Sequence, residues 1–292
     1  MKKRNVMSTT VLAAAVTALV GGSAGIANAT EPCGDFGECK VLVEINSTDG
    51  DVGFHFLMDG SDLRYGALFN PKKRKIYSYG ARRELARQFV TETFNESAEP
   101  LCWYPEEDDD EYGEDVVTLA DFMDRWTAGT YYFFGIGDDW ELSFGESELS
   151  FMLPAAPTNL SYIEEEDDGD IEGEISWDEG DDLGECEIGL DDLEVAPEDV
   201  PVLAWEVVLE PDVDDGDPLG SMKYVVRIPY ADDEGEPTER EVEVPDDYLE
   251  TLPDDTPAKV EIGAIGYDDN ATFSEIGDIC LNEVDGCEEE DE

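Results

Sequence analysis

His55 is the one imidazole that the sequence offers for acid–base or nucleophilic chemistry. A catalytic triad would need it beside an activated serine or cysteine, and the sequence contains no Gly-x-Ser-x-Gly motif. His55 stands between Phe54 and Phe56 in an alternating stretch, which favours a structural histidine on a strand. The 76 acidic residues could supply paired carboxylates for glycoside hydrolysis. With so many acids, however, a pair at any spacing can be found in the sequence, so its presence does not indicate a catalytic site. The sequence therefore predicts no catalytic and no cofactor-binding residue, and a small hydrolase ranks last among the functions considered.

Two acidic loops carry oxygen ligands of the kind that Ca²⁺ prefers. The candidate ligands are Glu164, Glu166, Asp168 and Asp170 in the first loop and Asp212, Asp214 and Asp217 in the second. The first loop imitates the start of an EF-hand loop, but its twelfth position is Ile175 where that loop needs glutamate; the second loop has its glycine one position too early. The sequence favours solvated charge here, with weak calcium binding as the alternative.

Residues 64–87 form a basic segment in an acidic chain. Eight bases stand there against Glu84 alone, a local charge of +7. They are Arg64, Lys72, Lys73, Arg74, Lys75, Arg82, Arg83 and Arg87. Because Lys72 to Lys75 follow Asn70-Pro71, a charged turn is favoured, as is a surface that faces the acidic second half; polyanion binding ranks below both.

Aromatic residues of the first half could form a sugar-binding platform. The candidates are Trp103, Tyr104, Trp126, Tyr131 and Trp140. Residues 131–134 are all aromatic, which places rings on both faces of one strand and predicts burial on both sides. A place in the core is therefore favoured, and carbohydrate binding is kept as an alternative.

The six cysteines fit an exported protein, because they are even in number and lie after the predicted cleavage point. They are Cys33, Cys39, Cys102, Cys186, Cys280 and Cys287, which allow 15 connectivities. Proximity favours Cys33–Cys39 and Cys280–Cys287, which leaves Cys102 with Cys186 as a hypothesis. Without a Cys-x-x-Cys pair and with one histidine, the sequence argues against a zinc site.

The two ends of the sequence predict a signal peptide and a solvated acidic tail. Residues 1–29 have a basic start, an apolar stretch and an Ala-x-Ala end, so they are predicted to be a signal peptide cleaved between Ala29 and Thr30. No second apolar run is long enough to span a bilayer. Residues 284–292 form an acidic tail. The location predicted is exported, either extracellular or periplasmic.

Short, strand-like runs position these residues in the first half, residues 30–153. Alternating segments at 40–45, 53–58, 67–69 and 75–79 are separated by turn residues at Asp49–Asp51 and Asp59-Gly60. Residues 119–126 predict a helix with Thr118 as its N-cap, and residues 130–134 and 140–144 predict a closing pair of strands.

The second half begins after the boundary at Leu153–Pro157. Residues 154–292 hold 49 acids and 4 bases. Seven strands are predicted at 159–163, 173–177, 202–209, 223–228, 239–244, 259–266 and 272–276. Seven short strands in this length predict a Greek-key sandwich. The fold class is therefore all-β: two β-sandwich domains, an Ig-like module over 30–153 and a second sandwich over 154–283.

The second half resembles a fibronectin type III domain. The resemblance rests on Pro154–Leu160 as the opening, Ile175-Ser176-Trp177 in the second strand, Trp205 within 203–207 in the third, and the turn from Leu249 into 260–265. Ala258 stands where that family has a corner tyrosine, and Tyr248 is the substitute. The topology that this resemblance implies places Cys186 towards the first half and Cys280 at the far end, which supports the Cys102–Cys186 hypothesis.

Residues 44–51 and 96–100 of the first half resemble an exported bacterial family that joins such a module to a fibronectin-like domain. That resemblance implies architecture and no chemistry.

Charge excludes some partners. The formal net charge is −59 and the pI about 4.1 over 292 residues; without residues 1–29, 14 bases face 76 acids, which gives −62. Nucleic acid and anionic membrane surfaces need a dense basic footprint and are disfavoured. We predict a secreted, acidic, non-enzymatic monomer that binds a protein or glycan partner at the cell surface or outside the cell. The alternative is a calcium- or carbohydrate-binding accessory module.

Overall fold

The structure is a computed structural model that describes residues 33–105, 116–167, 170–214, 216–231, 235, 237–284 and 286–287. The predicted signal peptide, its cleavage point at Ala29 and Thr30, and most of the acidic tail lie outside these residues. Within the described residues the chain forms fourteen β-strands and three short α-helices, so the predicted all-β class is confirmed. Each of these helices is too short or too polar to cross a membrane.

The strands occur in two sets along the chain, and alternation of apolar and polar residues underlies most of them. The first set comprises β1 (Glu38–Asn46), β2 (Asp51–Leu63), β3 (Tyr65–Phe69), β4 (Lys75–Gly80), β5 (Val90–Glu96), β6 (Gly129–Ile136) and β7 (Leu142–Leu149). The second comprises β8 (Thr158–Asp167), β9 (Asp170–Asp178), β10 (Val202–Pro211), β11 (Tyr224–Pro229), β12 (Glu241–Val244), β13 (Thr256–Gly266) and β14 (Ala271–Leu281). All seven strands predicted for the second half are present.

Three helices connect these strands: α1 (Leu85–Gln88), α2 (Leu119–Arg125) and α3 (Asp246–Leu249). The predicted cap of α2 is confirmed, because Thr118 Oγ1 accepts a hydrogen bond from the Asp121 backbone N–H at 3.2 Å.

One large sheet contains strands from both halves of the chain. Within the described residues the strand orders are β11-β10-β13-β14-β1-β2-β5, β12-β9-β8 and β4-β3-β6-β7. The halves meet where β1 pairs in parallel with β14, with Glu44 opposite Ala271 and Asn46 opposite Phe273. The strand sets over 30–153 and 154–283 therefore share the hydrogen bonding of one seven-stranded sheet.

Both smaller sheets pack on the same face of the seven-stranded sheet, which gives the sandwich-like layers. Ile45 on β1 is opposite Thr272 on β14, and Thr272 is opposite Ala264 on β13, so these three side chains share a face. Ile45 belongs to the core beneath the four-stranded sheet, and Ala264 to the core beneath the three-stranded sheet. The other face of the large sheet, which we call the polar face, carries polar groups together with a small buried apolar cluster of Ile265, Ala271 and Phe273.

Buried polar side chains fix the segment that links the halves. Asn270 is fully buried; its Oδ1 accepts from the Val43 N–H at 2.8 Å, and its Nδ2 donates to the carbonyls of Ser150 and Met152 at 3.2 and 3.1 Å. Ser274 Oγ donates to the Pro157 carbonyl at 2.6 Å. Asn270 therefore holds the backbone just before the predicted boundary segment, and Ser274 on β14 holds its last residue, Pro157.

The six cysteines form three disulfides, paired as Cys33–Cys39, Cys102–Cys186 and Cys280–Cys287. This is the expected connectivity, and Cys102–Cys186 joins the two halves. Three disulfides are typical of proteins from an oxidising compartment, which is compatible with an extracellular or periplasmic location.

Three details of the first half differ from expectation. Asp59-Gly60 is not a turn: β2 runs on to Leu63 with a register shift, because Gly60 leaves room for Phe36 and Leu63, which would lie within 3.1 Å of an added Cβ. Trp140 precedes strand β7 and lies in a 3₁₀ turn over Asp138–Trp140. Strand β5 was not predicted, since its polar, half-exposed sequence carries little alternation.

Candidate functional site

The polar face of the seven-stranded sheet carries buried acidic groups from both halves. Glu44 on β1, His55 on β2, Glu206 on β10 and Glu261 on β13 alternate with residues of the two cores, so their side chains project from the opposite face. His55 is fully buried, and Glu206 and Glu261 are each 8% exposed. Carboxylates at this depth need partners or raised pKa values.

His55 lies between two glutamates. Its Nε2 is 2.9 Å from Glu99 Oε1, a hydrogen bond, and its Nδ1 is 3.8 Å from Glu44 Oε2, which is too long for one. His55 Nδ1 has no hydrogen-bond partner among the described residues. One ligand atom from each of the three residues can be chosen so that all lie within 4.8 Å of one another. We call Glu44, His55 and Glu99 the Glu–His cluster.

Gly53 makes room for this cluster. It lies opposite Glu44, and a Cβ on it would come within 2.7 Å of both Glu99 Oε1 and His55 Nε2. A side chain at this position would push the Glu99 carboxylate away from the imidazole. The chain after β5 brings Glu99 here by running along β2, where the Val52 N–H donates to the Pro100 carbonyl at 3.2 Å.

Burial sets the protonation of the acids around the cluster. It raises the pKa of Glu44 to about 7, with Glu99 and Glu206 adding repulsion and His55 opposing it. Burial also raises the pKa of Glu261 to about 8, and the charge of Glu44 adds to the rise. For His55, burial acts to lower the pKa, but the hydrogen bond to Glu99 and the charge of Glu44 outweigh it, so the pKa is raised.

Basic side chains pair with acidic ones at the edges of this polar face. Arg227 Nε donates to Glu206 Oε2 at 3.0 Å, and Lys259 Nζ is 2.7 Å from Glu275 Oε2. Within the described part of the chain, no Lys or Arg nitrogen comes within 4.0 Å of a carboxylate oxygen of Glu44 or Glu261. The described carboxyl groups at the centre of the face therefore lack the ion pairs that those at its edges have.

The predicted calcium ligands are used in local hydrogen bonds where the structure describes them. Glu164 accepts hydrogen bonds from the Tyr162 hydroxyl at 2.5 Å and the Asn282 N–H at 3.1 Å. Asp217 Oδ1 accepts from the Leu219 N–H at 2.9 Å, and its own N–H donates to the Asp214 carbonyl at 3.0 Å.

The other calcium candidates are either bonded through the backbone or lie outside the residues whose side chains the structure describes. The Asp212 N–H donates to the Pro257 carbonyl at 2.8 Å. Asp168 lies outside the described residues, as do the side chains of Glu166 and Asp170. Calcium binding by these loops stays a prediction.

The outer face of the four-stranded sheet is rich in aromatic side chains. Phe134 on β6 lies opposite Phe144 on β7 with ring centroids 5.4 Å apart, and the Tyr65 ring on β3 lies 6.3 Å from Phe134. Phe144 is 56% exposed, and Trp140, in the loop that joins β6 to β7, is 79% exposed. Exposed aromatic side chains grouped on one surface are typical of binding sites.

The prediction that strand β6 is buried on both faces was wrong. Tyr131 and Phe133 lie in the core, but Tyr132 and Phe134 project outward and stay partly exposed. The physical reason is that, within the described residues, the outer face of this sheet packs against no other sheet.

Cations surround these rings. Lys73 Nζ lies 5.4 Å from the Tyr132 ring centroid and Lys75 Nζ 5.9 Å from that of Tyr65, both within cation–π range. Lys75 Nζ also donates to the Tyr65 hydroxyl at 3.2 Å. Hydrogen bonds with Ser78 and Lys75 lower the pKa of Tyr65. We define the aromatic–basic face by Tyr65, Tyr132, Phe134, Trp140 and Phe144 together with Arg64, Lys73 and Lys75.

The eight bases of residues 64–87 are all exposed. Arg64 pairs with Asp138 at 2.8 Å, within the first half. For the other seven, no carboxylate oxygen of the described chain lies within 4.0 Å. This leaves unpaired positive charge at one end of an acidic protein, and no described ion pair links the segment to the second half.

The proposed sugar-platform residues separate into two groups. Trp126 stacks on Phe54 with centroids 3.9 Å apart, Tyr131 is 1% exposed, and Trp103 is half-buried with its Nε1 bonded to the Asp49 carbonyl at 3.3 Å. Trp140 and Tyr104 are 79% and 65% exposed. The expected core position therefore holds for three of the five.

The backbone at Trp140 has an unusual conformation. Asp139 and Trp140 have φ values of 51° and 66°, in the left-handed region that bulky residues rarely adopt. Such conformations carry strain and occur preferentially at functional positions.

Comparisons with known proteins add the following. No family profile matches the chain, and no curated protein matches it. Among solved structures, "Biofilm associated protein - BSP domain" is similar at 10% sequence identity and a TM-score of 0.22; the match covers 86% of this chain and 30% of that chain. The chain thus spans less than a third of the length of that structure.

Proposed function

We propose that this is a non-enzymatic binding protein that acts outside the cell, and that the aromatic–basic face binds an acidic polysaccharide. The proposal rests mainly on the seven cations of residues 72–87 that have no carboxylate partner within 4.0 Å in the described chain, two of which, Lys73 and Lys75, lie over aromatic rings of one sheet face. Eight of the 14 bases after residue 29 belong to residues 64–87 of a chain with 76 acids. Concentrating cations here keeps one region attractive to anions.

The chemistry of the face suits a charged sugar chain. Pyranose rings offer apolar C–H faces that stack on Trp, Tyr and Phe, while uronate or sulfate groups pair with Lys and Arg. The rings of Tyr65, Phe134 and Phe144 follow one another across three strands, which matches an extended ligand. Trp140 lies in the loop that joins β6 to β7, at the end of these two strands.

Architecture and composition support an extracellular role. The second half has the three-stranded sheet β12-β9-β8 and contributes β11-β10-β13-β14 to the seven-stranded sheet, and these two sets of strands match the arrangement expected of a fibronectin type III-like domain. Tyr248 donates a hydrogen bond to the Met222 carbonyl at 2.9 Å, the role proposed for it in place of a corner tyrosine. The predicted signal peptide and three disulfides agree with export.

Binding to polysaccharides of different charge tests the proposal. The full chain is titrated with a polyuronate, a sulfated glycan and neutral dextran. We expect binding to the two anionic polymers that weakens with salt, because exposed charges are screened beyond about 8 Å at 0.15 M ionic strength. Trp140→Ala should weaken binding about tenfold, the equivalent of ~1.4 kcal/mol of stacking. Lys73→Glu combined with Lys75→Glu should abolish it.

Matched controls come from the second half. Tyr267→Ala removes an aromatic side chain that is 56% exposed, and Arg240→Gln removes a base, both away from the aromatic–basic face. Neither should change binding. Equal binding of dextran, or binding unaffected by both face variants, would overturn the proposal. So would a dimer in low salt that Lys73→Glu/Lys75→Glu dissociates while no polysaccharide binds, since the face would then contact the acidic half of a second copy.

A further inference from the structure

We propose that the Glu–His cluster on the polar face of the seven-stranded sheet binds a first-row divalent cation, of which Zn²⁺ is the reference, with His55 Nδ1 and a carboxylate oxygen of Glu44 as its ligands and with Glu99 holding the imidazole at Nε2. This site is separate from the aromatic–basic face, which lies on the four-stranded sheet. It is also separate from the acidic loops for which calcium was predicted.

The unpartnered nitrogen of His55 is the observation that carries the proposal. His55 is fully buried, and its Nδ1 has no hydrogen-bond partner among the described residues. The nearest carboxylate oxygen is Glu44 Oε2, 3.8 Å away. An imidazole nitrogen and a carboxylate that are buried close together without a hydrogen bond between them form an unfavourable arrangement, and a cation between them would bind both groups.

The distances suit a shared ion. Two ligand atoms at about 2.0–2.2 Å from a tetrahedral Zn²⁺ lie about 3.3–3.6 Å apart. The 3.8 Å gap between His55 Nδ1 and Glu44 Oε2 is close to this separation. A small rotation of the Glu44 side chain would bring its oxygen to the ligand separation, and water molecules would complete the coordination of the ion.

Glu99 also orients the ring. Its Oε1 accepts a hydrogen bond at Nε2, 2.9 Å away, which directs the Nδ1 lone pair towards Glu44. A carboxylate on the second nitrogen of a ligating histidine is the usual support of such sites. Gly53 keeps the space in which the Glu99 carboxylate lies.

The choice of ion follows from the donors. An imidazole nitrogen beside a carboxylate suits Zn²⁺ and similar ions, whereas Ca²⁺ takes oxygen ligands alone and needs six to eight of them. Glu206 and Glu261 place further carboxyl groups on the same buried face, and within the described residues Arg227 pairs with Glu206 while no Lys or Arg nitrogen lies within 4.0 Å of Glu261. A divalent cation would offset the charge of the carboxyl groups that are ionised.

The single histidine makes the test specific. A tag-free full chain, labelled with ¹⁵N at histidine, gives ring signals from His55 alone. We expect addition of Zn²⁺ to shift these signals and to saturate at one equivalent, whereas Ca²⁺ and Mg²⁺ leave them unchanged. Zn²⁺ held by the acidic loops or tail would not move the ring signals, so that binding is distinguished from binding at the cluster.

Variants locate the site. Glu44→Gln should weaken Zn²⁺ binding about tenfold or more, and Glu99→Gln, which alters a side chain that is 24% exposed, should weaken it by a similar factor. Glu92→Gln, an exposed position on β5, is the matched control and should bind as the parent does. Thermal unfolding without metal verifies that each variant is folded; if Glu44→Gln does not fold, Glu99→Gln decides.

Three results would overturn the assignment. The first is ring signals that stay unchanged in excess Zn²⁺, which would leave His55 as an imidazole held between carboxylates. The second is an equal response to Ca²⁺. The third is unchanged Zn²⁺ affinity in a folded Glu44→Gln or Glu99→Gln variant.

Discussion

Two regions of this protein, the Glu–His cluster and the aromatic–basic face, hold their ionisable groups in opposite environments. The cluster and its surroundings on the large sheet keep acidic groups buried, with the pKa values of Glu44 and Glu261 raised to about 7 and 8. The aromatic–basic face keeps cations exposed: Arg64 pairs with Asp138, whereas Lys73 and Lys75 lack carboxylate partners within 4.0 Å in the described chain. Charge that is buried is coupled to folding, whereas charge that is exposed is free for a ligand. The two regions should therefore respond differently to the same kinds of substitution.

Removal of the imidazole should have the largest effect on stability. His55→Ala leaves Glu44 and Glu99 without their shared partner, and loss of one member of a buried ionic group costs about 3–5 kcal/mol. Urea unfolding at pH 7 with a chelator present measures this change. A loss below about 1 kcal/mol would show that the cluster is solvated and would remove the contrast between the two regions.

Glu261 should make stability depend on pH. Its folded pKa of about 8 exceeds the ordinary value of 4.5, so the folded state binds the proton more tightly than the unfolded state does. The resulting stabilisation is complete below about pH 4.5 and is lost as pH rises through about 8. Glu261→Gln should remove this loss, with a difference on the order of 1–3 kcal/mol at pH 8.

Urea unfolding between pH 4.5 and 8.5 checks this prediction. The charged groups that act on Glu261 are Glu44, Glu275, Glu210 and Lys259. Glu92→Gln serves as the control, since its carboxylate is exposed. Parallel pH profiles for the parent and Glu261→Gln would contradict the burial argument.

On the aromatic–basic face, a substitution can stabilise the fold while it removes the proposed ligand contact. Trp140 is 79% exposed and has φ of 66°, so Trp140→Gly relieves a left-handed conformation at little cost in burial. We expect the free energy of unfolding to rise by about 0.5–1 kcal/mol. Leu142→Gly, in strand β7, should instead lower the free energy of unfolding. Comparing the melting temperatures of the parent and the two glycine variants tests both expectations. A destabilised Trp140→Gly would mean that the indole contributes to the fold.

The exposed ion pair should have the smallest effect. Arg64 and Asp138 are 44% and 53% exposed at their side chains, so Arg64→Ala should change the free energy of unfolding by less than about 0.5 kcal/mol. Chemical unfolding at low and high salt tests this. A loss near that expected for His55→Ala would show that the basic segment is structural.

Local patterns predicted much of the fold. Period-two alternation placed the seven strands of the second half, and Thr118 at the start of an apolar stretch placed the cap of α2. Proximity predicted two disulfides and left Cys102 with Cys186, which the structure pairs. These features depend on neighbours in sequence, which is why they could be read there.

The Glu–His cluster could not be predicted in the same way. His55 was recognised as a strand residue, but Glu99 reaches it from a segment that follows an unpredicted strand, and Glu261 reaches the same face through the parallel β1–β14 pairing. Among 76 acids, no local pattern separates these from solvated ones. One clue was present: Glu44 and His55 fall on the polar phase of two adjacent alternating strands.

The parallel pairing of β1 with β14 also constrains how the protein is made. Residues 38–46 and 271–281 are far apart in sequence but adjacent in the sheet, so the seven-stranded sheet cannot form completely until residue 281 has been synthesised. Until then β1 presents an unpaired edge, which is open to pairing with other chains. Folding should accordingly finish as a late, whole-chain event, and a product truncated before β14 should aggregate rather than persist as an independent N-terminal unit.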